Sequence, residues 1–188
     1  MIIENSKLKV LLHTCCAPCL TAVDEKLSDQ FEPVIFWFNP NIEPKQEYEK
    51  RLGVLKEFTK KIGVELIESM TKYEIDNAEW SAFVGGFANE PEGGKRCEKC
   101  IEFRLRKTAE KAKGLGLKFT TTLSVSPHKN AESINKAGHD LSEQLGLEYL
   151  AANFKKENGH LRSIELSKKF NLYRQNYCGC RYSKNKTE

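Results

Sequence analysis

Long hydrophobic runs are missing from this 188-residue chain. The longest uninterrupted apolar stretch, Val34 to Phe38, has five residues, whereas a membrane-spanning helix takes ~20, so no membrane partner is expected. Charge of one sign is missing too. Lysine and arginine number 30 against 26 acidic residues, a net +4, which permits contact with nucleic acid without demanding it. Residues 1–7 hold no basic segment followed by an apolar stretch and a small-residue cleavage site. No secretion leader is therefore expected, and the cytoplasm is the expected location. Repeats, linkers and low-complexity segments are lacking, and 39% hydrophobic with 30% charged residues excludes a disordered or fibrous chain. The length suits one domain over residues 1–188.

Cysteine, by contrast, is plentiful and patterned. The seven fall in three clusters, Cys15, Cys16 and Cys19, then Cys97 and Cys100, then Cys178 and Cys180. An odd number in a reducing compartment argues against a structural disulfide framework.

Periodicity gives an alternation of strands and helices. Residues 7–13 read as a strand, followed by a loop and a helix with Pro18 in its first turn and Leu20, Val23 and Leu27 on one face. Residues 33–38 form a second apolar run, broken by Asn39-Pro40-Asn41. A long helix starts near Pro44, carries Tyr48, Leu52, Leu55, Phe58 and Ile62 on one face, and stops at Gly63. A third strand is expected at 64–67 and a helix at 75–87, with Trp80, Phe83 and Phe87 as a core stripe. A further helix runs from about Cys97 to Gly114, then a Thr-rich strand at 117–123, then a helix capped by Ser126-Pro127. A short strand at 148–150, a helix near 163–170 and an irregular C-terminal segment complete the reading. The fold class expected is α/β, a single doubly wound, mostly parallel sheet with helices on both faces. In such sheets ligands bind beyond the carboxyl ends of the strands, which places His13-Thr14-Cys15-Cys16 at the functional edge.

Adjacent cysteines have Cα atoms ~3.8 Å apart, too close for an unstrained disulfide, so Cys15 and Cys16 need other partners. Both precede a helix N-terminus, where N–H groups and the helix dipole favour thiolate, the metal-binding form. Cys97 and Cys100 offer two more thiols at another helix start. Four thiolates suit zinc or an iron–sulfur cluster, and a CC pair at a sheet edge joined to a distant CxxC leans toward iron–sulfur. Cys178-Gly179-Cys180 permits a tight, easily reduced disulfide, with a second metal-ligand pair or idle thiols as alternatives. Cys19 suits a cluster ligand, a ligand to a second metal, or a core residue. His13 could bind metal, but a histidine ending a strand reads more simply as a hydrogen-bonded structural residue. Arg104, Arg106 and Lys107, and Lys168, Lys169, Arg174, Arg181, Lys184 and Lys186, lie near cysteines and could seat a phosphate backbone, although for any one of them a solvated face is the simpler reading.

At these motifs the sequence resembles the QueH-type epoxyqueuosine reductase family. The resemblance runs through Leu11-Leu12-His13-Thr14-Cys15-Cys16-Ala17-Pro18-Cys19 and Phe38-Asn39-Pro40-Asn41-Ile42 with Glu47-Tyr48 and Arg51. It continues through Gly94-Lys95-Arg96-Cys97-Glu98-Lys99-Cys100, through 104–109 and 119–130, and through 163–167 and 172–180, covering nearly the whole chain. It implies a nucleotide α-hydrolase-like fold and the last step of queuosine synthesis. There the cyclopentane epoxide of epoxyqueuosine, at the tRNA wobble position, is reduced by two electrons and two protons to the alkene with loss of water. It also implies a 4Fe–4S cluster on Cys15, Cys16, Cys97 and Cys100, and a redox-active pair at Cys178 and Cys180. Some members carry aspartate at the position of Cys19, and an additional iron beside the cluster is implied there, although thiolate and carboxylate differ in softness. Tyr177 and His13 are candidate proton donors by proximity. The loop after the first strand lacks a Ser-Gly-Gly type of phosphate cradle, so no ATP is expected, and no electron donor is identified. The alternatives are a zinc-stabilised RNA-binding module and an ATP-dependent tRNA sulfur-transfer enzyme.

Overall fold

The computed structural model of the chain describes residues 7–184; Lys186 and residues 1–6 of the sequence reading lie outside them. In chain order the elements are β1 (Leu8–His13), α1 (Ala17–Leu27), β2 (Phe31–Trp37), α2 (Lys45–Ile62), β3 (Leu66–Glu68), α3 (Tyr73–Gly85), α4 (Lys95–Leu115), β4 (Lys118–Thr121), α5 (Ala131–Leu145), α6 (Gly159–Lys169) and α7 (Arg181–Lys184). The four strands pair in parallel in the order β3-β2-β1-β4. Successive side chains alternate across the sheet. Leu11, Val34, Phe36 and Phe119 pack toward α3, α4 and α5, while Leu12, Ile35 and Trp37 pack toward α1 and α2; α6 lies against α1. Both faces are covered, which is why the strands read as near-continuous apolar runs. No described helix is long and apolar enough to cross a membrane.

Strand order reverses at β1: the chain steps to β2 and β3 on one side and returns to β4 on the other. The crevice at such a switch point is where an open α/β sheet binds its ligand. His13 closes the end of β1 and ties both neighbours to it. Its Nε2–H donates to the Phe38 carbonyl at 3.1 Å, and its Nδ1 accepts from the Thr121 hydroxyl at 2.9 Å. Burial, reinforced by the nearby Arg104 cation, pushes the imidazole pKa down to about 3, so the ring is neutral and both nitrogens are occupied.

Several boundaries differ from the sequence reading. The expected strand at 148–150 is a single bridge from Tyr149 to Phe119. The Thr-rich strand stops at Thr121, whose hydroxyl accepts from the Leu123 N–H and turns the chain into a 3-10 turn over Thr122–Val125. Ser126-Pro127 belongs to a loop; Asn130 caps α5 instead, its side chain accepting from the N–H groups of Glu132 and Ser133. Gly114 lies inside α4, which ends at Gly116 in the left-handed region. The aromatic stripe splits. Trp80 is 1% exposed and packs with Val84, whereas Phe83 is 38% exposed and Phe87 lies beyond the helix, because Trp80 and Val84, one turn apart, define the buried face.

Close approach of α5 to the sheet edge depends on Gly138, where an added Cβ would sit 2.4 Å from Tyr149 ring carbons. Gly53, within α2, has open space around it. Gly138→Ala is expected to lower the urea midpoint by the equivalent of about 1–3 kcal/mol despite its better helix propensity. Gly53→Ala is expected to raise it by about 0.5–1 kcal/mol. Equal effects from the two would show that the Tyr149 contact does not limit packing.

Candidate functional site

The residues after β1 hold the first cysteine cluster at the switch point. Thr14 continues the strand pairing through its N–H to the Phe36 carbonyl at 3.0 Å. Cys15 follows with its N–H on the Thr122 hydroxyl oxygen at 3.2 Å, and that hydroxyl donates back to the Cys15 sulfur at 3.4 Å. Cys16 has extended backbone at the N-cap of α1, with Pro18 in the first turn. The Cys15 and Cys16 sulfurs lie 3.9 Å apart, and with Cys19 they form a set of three thiols all within 4.8 Å of one another. Cys19, left open by the sequence, is thus part of the compact group. A tetrahedral ion with ~2.3 Å metal–sulfur bonds has sulfur–sulfur edges of ~3.8 Å, so the donor set and its spacing fit a thiolate-bound metal.

The three thiols share protons unequally. Hydrogen bonds from Cys16 and Cys19 hold Cys15 as thiolate, well below the ordinary thiol range. The same bonds push Cys16 up to about 12 and raise Cys19.

Cys97 and Cys100 lie in the first two turns of α4, on one face at i and i+3. The Gly93 N–H donates to the Cys97 sulfur at 3.2 Å. These two thiols do not join the compact set of three. They line a small cavity of about 70 Å³ together with Cys178 and Cys180. That cavity adjoins a larger one of about 660 Å³ lined by Cys15, Cys19 and Cys178, and both share Cys178, Arg104 and Lys129 as walls. The three cysteine clusters therefore converge on one edge of the sheet. All seven cysteines are free thiols.

The Cys178-Gly179-Cys180 turn is held by Arg51. Its guanidinium pairs with Glu47 at 2.6 Å and donates to the Cys178 and Tyr177 carbonyls at 3.1 and 3.4 Å. Gly179 has φ 116°, which favours glycine, and a Cβ there would crowd Arg51 Nη1 at 3.0 Å. The Gly179 carbonyl accepts from the Glu43 N–H at 2.8 Å. Of the candidate proton donors, Tyr177 donates its hydroxyl to the Glu43 carbonyl at 3.0 Å, and His13 is committed at both nitrogens, so neither has a free proton aimed at the cavity.

Sequence reasoning missed Arg104. Read as one cation of a solvated face, it is 2% exposed, while its neighbours Arg106 and Lys107 do lie on the surface, paired with Glu102 and Glu79. Its donors go to neutral acceptors, Cys100 O at 3.3 Å and Asn39 Oδ1 at 3.4 Å. No carboxylate pairs with it among the described residues. Burial works against this cation, but the surrounding Cys100, Cys178, Cys15 and Cys180 sulfurs outweigh that and raise its pKa. Lys129 is likewise raised, first by Cys178. Two cations thus face the sulfurs, a setting that suits anionic thiolate ligands. Asn39 connects Arg104 to the cysteine loop by donating to the Thr14 carbonyl at 2.9 Å. Its position directly after β2 was the available signal, since the strand-end rule applies to β2 as much as to β1.

Comparison with known proteins places this arrangement. A family profile described as Epoxyqueuosine reductase QueH matches residues 10–186. The chain is 39% identical over 183 residues to a protein of that description from Streptococcus pyogenes, covering 96% of this chain and 72% of the relative. To its counterpart from Thermotoga maritima it is 38% identical over 179 residues, covering 93% and 89%. Among solved structures, one described as a predicted subunit of tRNA methyltransferase from Methanocaldococcus jannaschii superposes with a TM-score of 0.56 at 13% identity, over 85% of this chain and 75% of that one; this likeness shows the fold alone. Matched over nearly all of its length, with its cysteine clusters gathered at one sheet edge, the chain belongs to the epoxyqueuosine reductase QueH family.

Proposed function

We propose that the chain reduces epoxyqueuosine in tRNA to queuosine, converting the ring epoxide to an alkene and water with two electrons and two protons. The observation that carries this reading is the convergence of three cysteine clusters on adjoining cavities at the switch point of the sheet, in a chain of the epoxyqueuosine reductase family. Cys15, Cys16, Cys97 and Cys100 are the residues that would hold a 4Fe–4S cluster, and Cys19, beside Cys15 and Cys16, would ligate an additional iron. Such a group, when bound, transfers electrons one at a time.

The remaining chemistry belongs to the chain. Oxidation of the Cys178 and Cys180 thiols to a disulfide releases two electrons and two protons, the stoichiometry that turns an epoxide into an alkene and water. An external electron donor must then reduce the disulfide. Arg51 and Glu43 hold the backbone of this turn against the cavity. Lys129 and Arg104 counter the negative charge of the thiolates. At the mouth of the larger cavity His128, His160 and Arg174 add basic groups, with Glu92 as the carboxylate among the lining residues, which supports entry of a nucleoside whose phosphates remain at the rim. The loop at 14–16 offers thiols where a nucleotide site would offer glycine N–H groups, which supports a reaction without ATP. A tRNA substrate also supports a cytoplasmic location.

Anaerobic purification is expected to yield about four labile sulfides per chain and at least as many irons, with broad absorbance near ~400 nm. Cys19→Ala is expected to lower the iron count while sparing that absorbance. Stoichiometric zinc without sulfide, which the 3.9 Å sulfur spacing would also suit, would replace this reading with a zinc-stabilised RNA-binding module.

The two distal cysteine pairs are separable by substitution. Cys97→Ala should lose iron, absorbance and turnover together. Cys178→Ala should keep iron and absorbance while turnover falls more than about tenfold. Iron retained in the first variant would remove Cys97 as a ligand, and wild-type turnover in the second would remove the CGC pair from the reaction.

A further inference from the structure

Two residues that line the larger cavity, Asn41 and Gln175, each carry a buried amide oxygen without a hydrogen-bond partner, Asn41 Oδ1 and Gln175 Oε1. The other buried side-chain atoms without partners among the described residues are the Trp37 and Trp80 indole nitrogens and Asn153 Oδ1, and none of these lines that cavity. An unsatisfied buried acceptor destabilises the fold that contains it. Its presence at a site calls for a donor that arrives from outside.

Neither side chain is loose. Asn41 is 1% exposed and sits in a turn closed by the Ile42 N–H on the Asn39 carbonyl at 3.1 Å. Asn77 donates to the Pro40 carbonyl at 2.7 Å and the Tyr73 hydroxyl donates to the Ile42 carbonyl at 2.9 Å, so the backbone on both sides is fixed. Asn39, two residues earlier, has both amide atoms engaged, with Thr14 and Arg104. The turn thus satisfies one asparagine completely and leaves the oxygen of the next unpaired. Gln175 lies between Tyr173 and Tyr177, whose hydroxyls are anchored on Glu47 and on the Glu43 carbonyl.

We infer that Asn41 and Gln175 are specificity-determining residues, whose amide oxygens accept hydrogen bonds from N–H or O–H donors of the nucleoside that enters the larger cavity. This rests on the reductase reading and deepens it. A site built from fixed acceptors rejects analogues that lack the matching donors, because the acceptors then remain buried and unpaired. The donors belong either to the Watson–Crick edge of a guanine-type base, N1–H and the 2-amino group, or to the substituent that bears the epoxide. The chemistry is the same in both cases, and the two sources are separable.

The test uses the anaerobically purified holoprotein with two anticodon stem-loops, one carrying epoxyqueuosine and one guanosine at the wobble position, and the variants Asn41→Leu and Gln175→Met. Each variant is expected to keep the wild-type iron content and a urea midpoint equal to or above wild type, since an unpaired acceptor has been removed. Kd and KM for the epoxyqueuosine stem-loop are expected to rise about tenfold. Equal weakening toward the guanosine stem-loop would assign the donors to the base edge, and weakening confined to the epoxyqueuosine stem-loop would assign them to the substituent; either result supports the inference. Unchanged Kd and KM in both variants would overturn it, as would a lowered urea midpoint, which would make the amides structural. Wild-type protein that neither binds nor reduces the epoxyqueuosine stem-loop would overturn the reductase reading itself, whereas full wild-type turnover with unaffected variants removes this inference alone.

Discussion

The hydrogen bonds of one buried imidazole set the geometry on which the site depends. His13 ends β1, the central strand at the switch point, and joins β4 through Thr121 and the segment after β2 through the Phe38 carbonyl. The cysteine loop, the Asn39-Pro40-Asn41 turn and the 3-10 turn at Thr122–Val125 all begin within two residues of these contacts. A charged imidazole would have to donate at both nitrogens and would hold a second cation beside Arg104 without water. Neutral His13, favoured by burial and by the Arg104 cation, is therefore the state compatible with the three chain segments meeting as they do. Its role is positional, and it leaves the adjacent sulfurs to do the chemistry.

Two buried arginines show how the same side chain serves two purposes here. Arg51 has a carboxylate partner in Glu47, so its charge is neutralised inside the fold and its remaining donors are available to clamp the backbone of the CGC turn. Arg104 has no such partner among the described residues and is surrounded by sulfurs. A buried guanidinium without a counter-ion is costly, and the cysteine sulfurs are the groups within reach that can carry the opposite charge. The reverse also holds, because thiolates gathered on a sheet edge need cations. Arg104, Lys129 and the cysteines are consequently one electrostatic unit, and loss of either sign would leave the other unbalanced.

Much of this was legible in the sequence because parallel sheets buried on both faces announce themselves. The apolar runs of β1 and β2, the 3.6-residue stripes of α2 and α4, and the glycine stop of α2 depend on local pattern, and the structure follows them. The expectation that the first cysteine cluster lies at the functional edge also followed from a local feature, its place directly after a strand. What the pattern could not supply were the features set by tertiary partners. Ser126-Pro127 has cap chemistry, but Asn130 is the residue whose side chain reaches free N–H groups. Phe83 has the right spacing for a core residue and the wrong angle relative to Trp80 and Val84. Arg104 is indistinguishable by composition from Arg106 and becomes buried because it lies on the face of α4 that meets the sheet. Cys19 joins Cys15 and Cys16 because α1 starts with an extended Cys16 and folds its first turn back over the loop, which no spacing rule specifies.

Arg104, Asn41 and Gln175 share a physical property that separates them from the residues that build the fold. Each holds a polar group away from water without a full set of partners inside the chain, and each borders the larger cavity. Selection for stability alone would remove such groups, since apolar replacements of similar shape relieve the desolvation cost. Their concentration at the switch point means that the fold, satisfied elsewhere by strand pairing and capped helices, carries its unbalanced charge and unpaired acceptors where sulfur ligands and an entering nucleoside would complete them. Local sequence logic fails at these positions for the same reason that the site can function, because the missing partners are not residues of the chain.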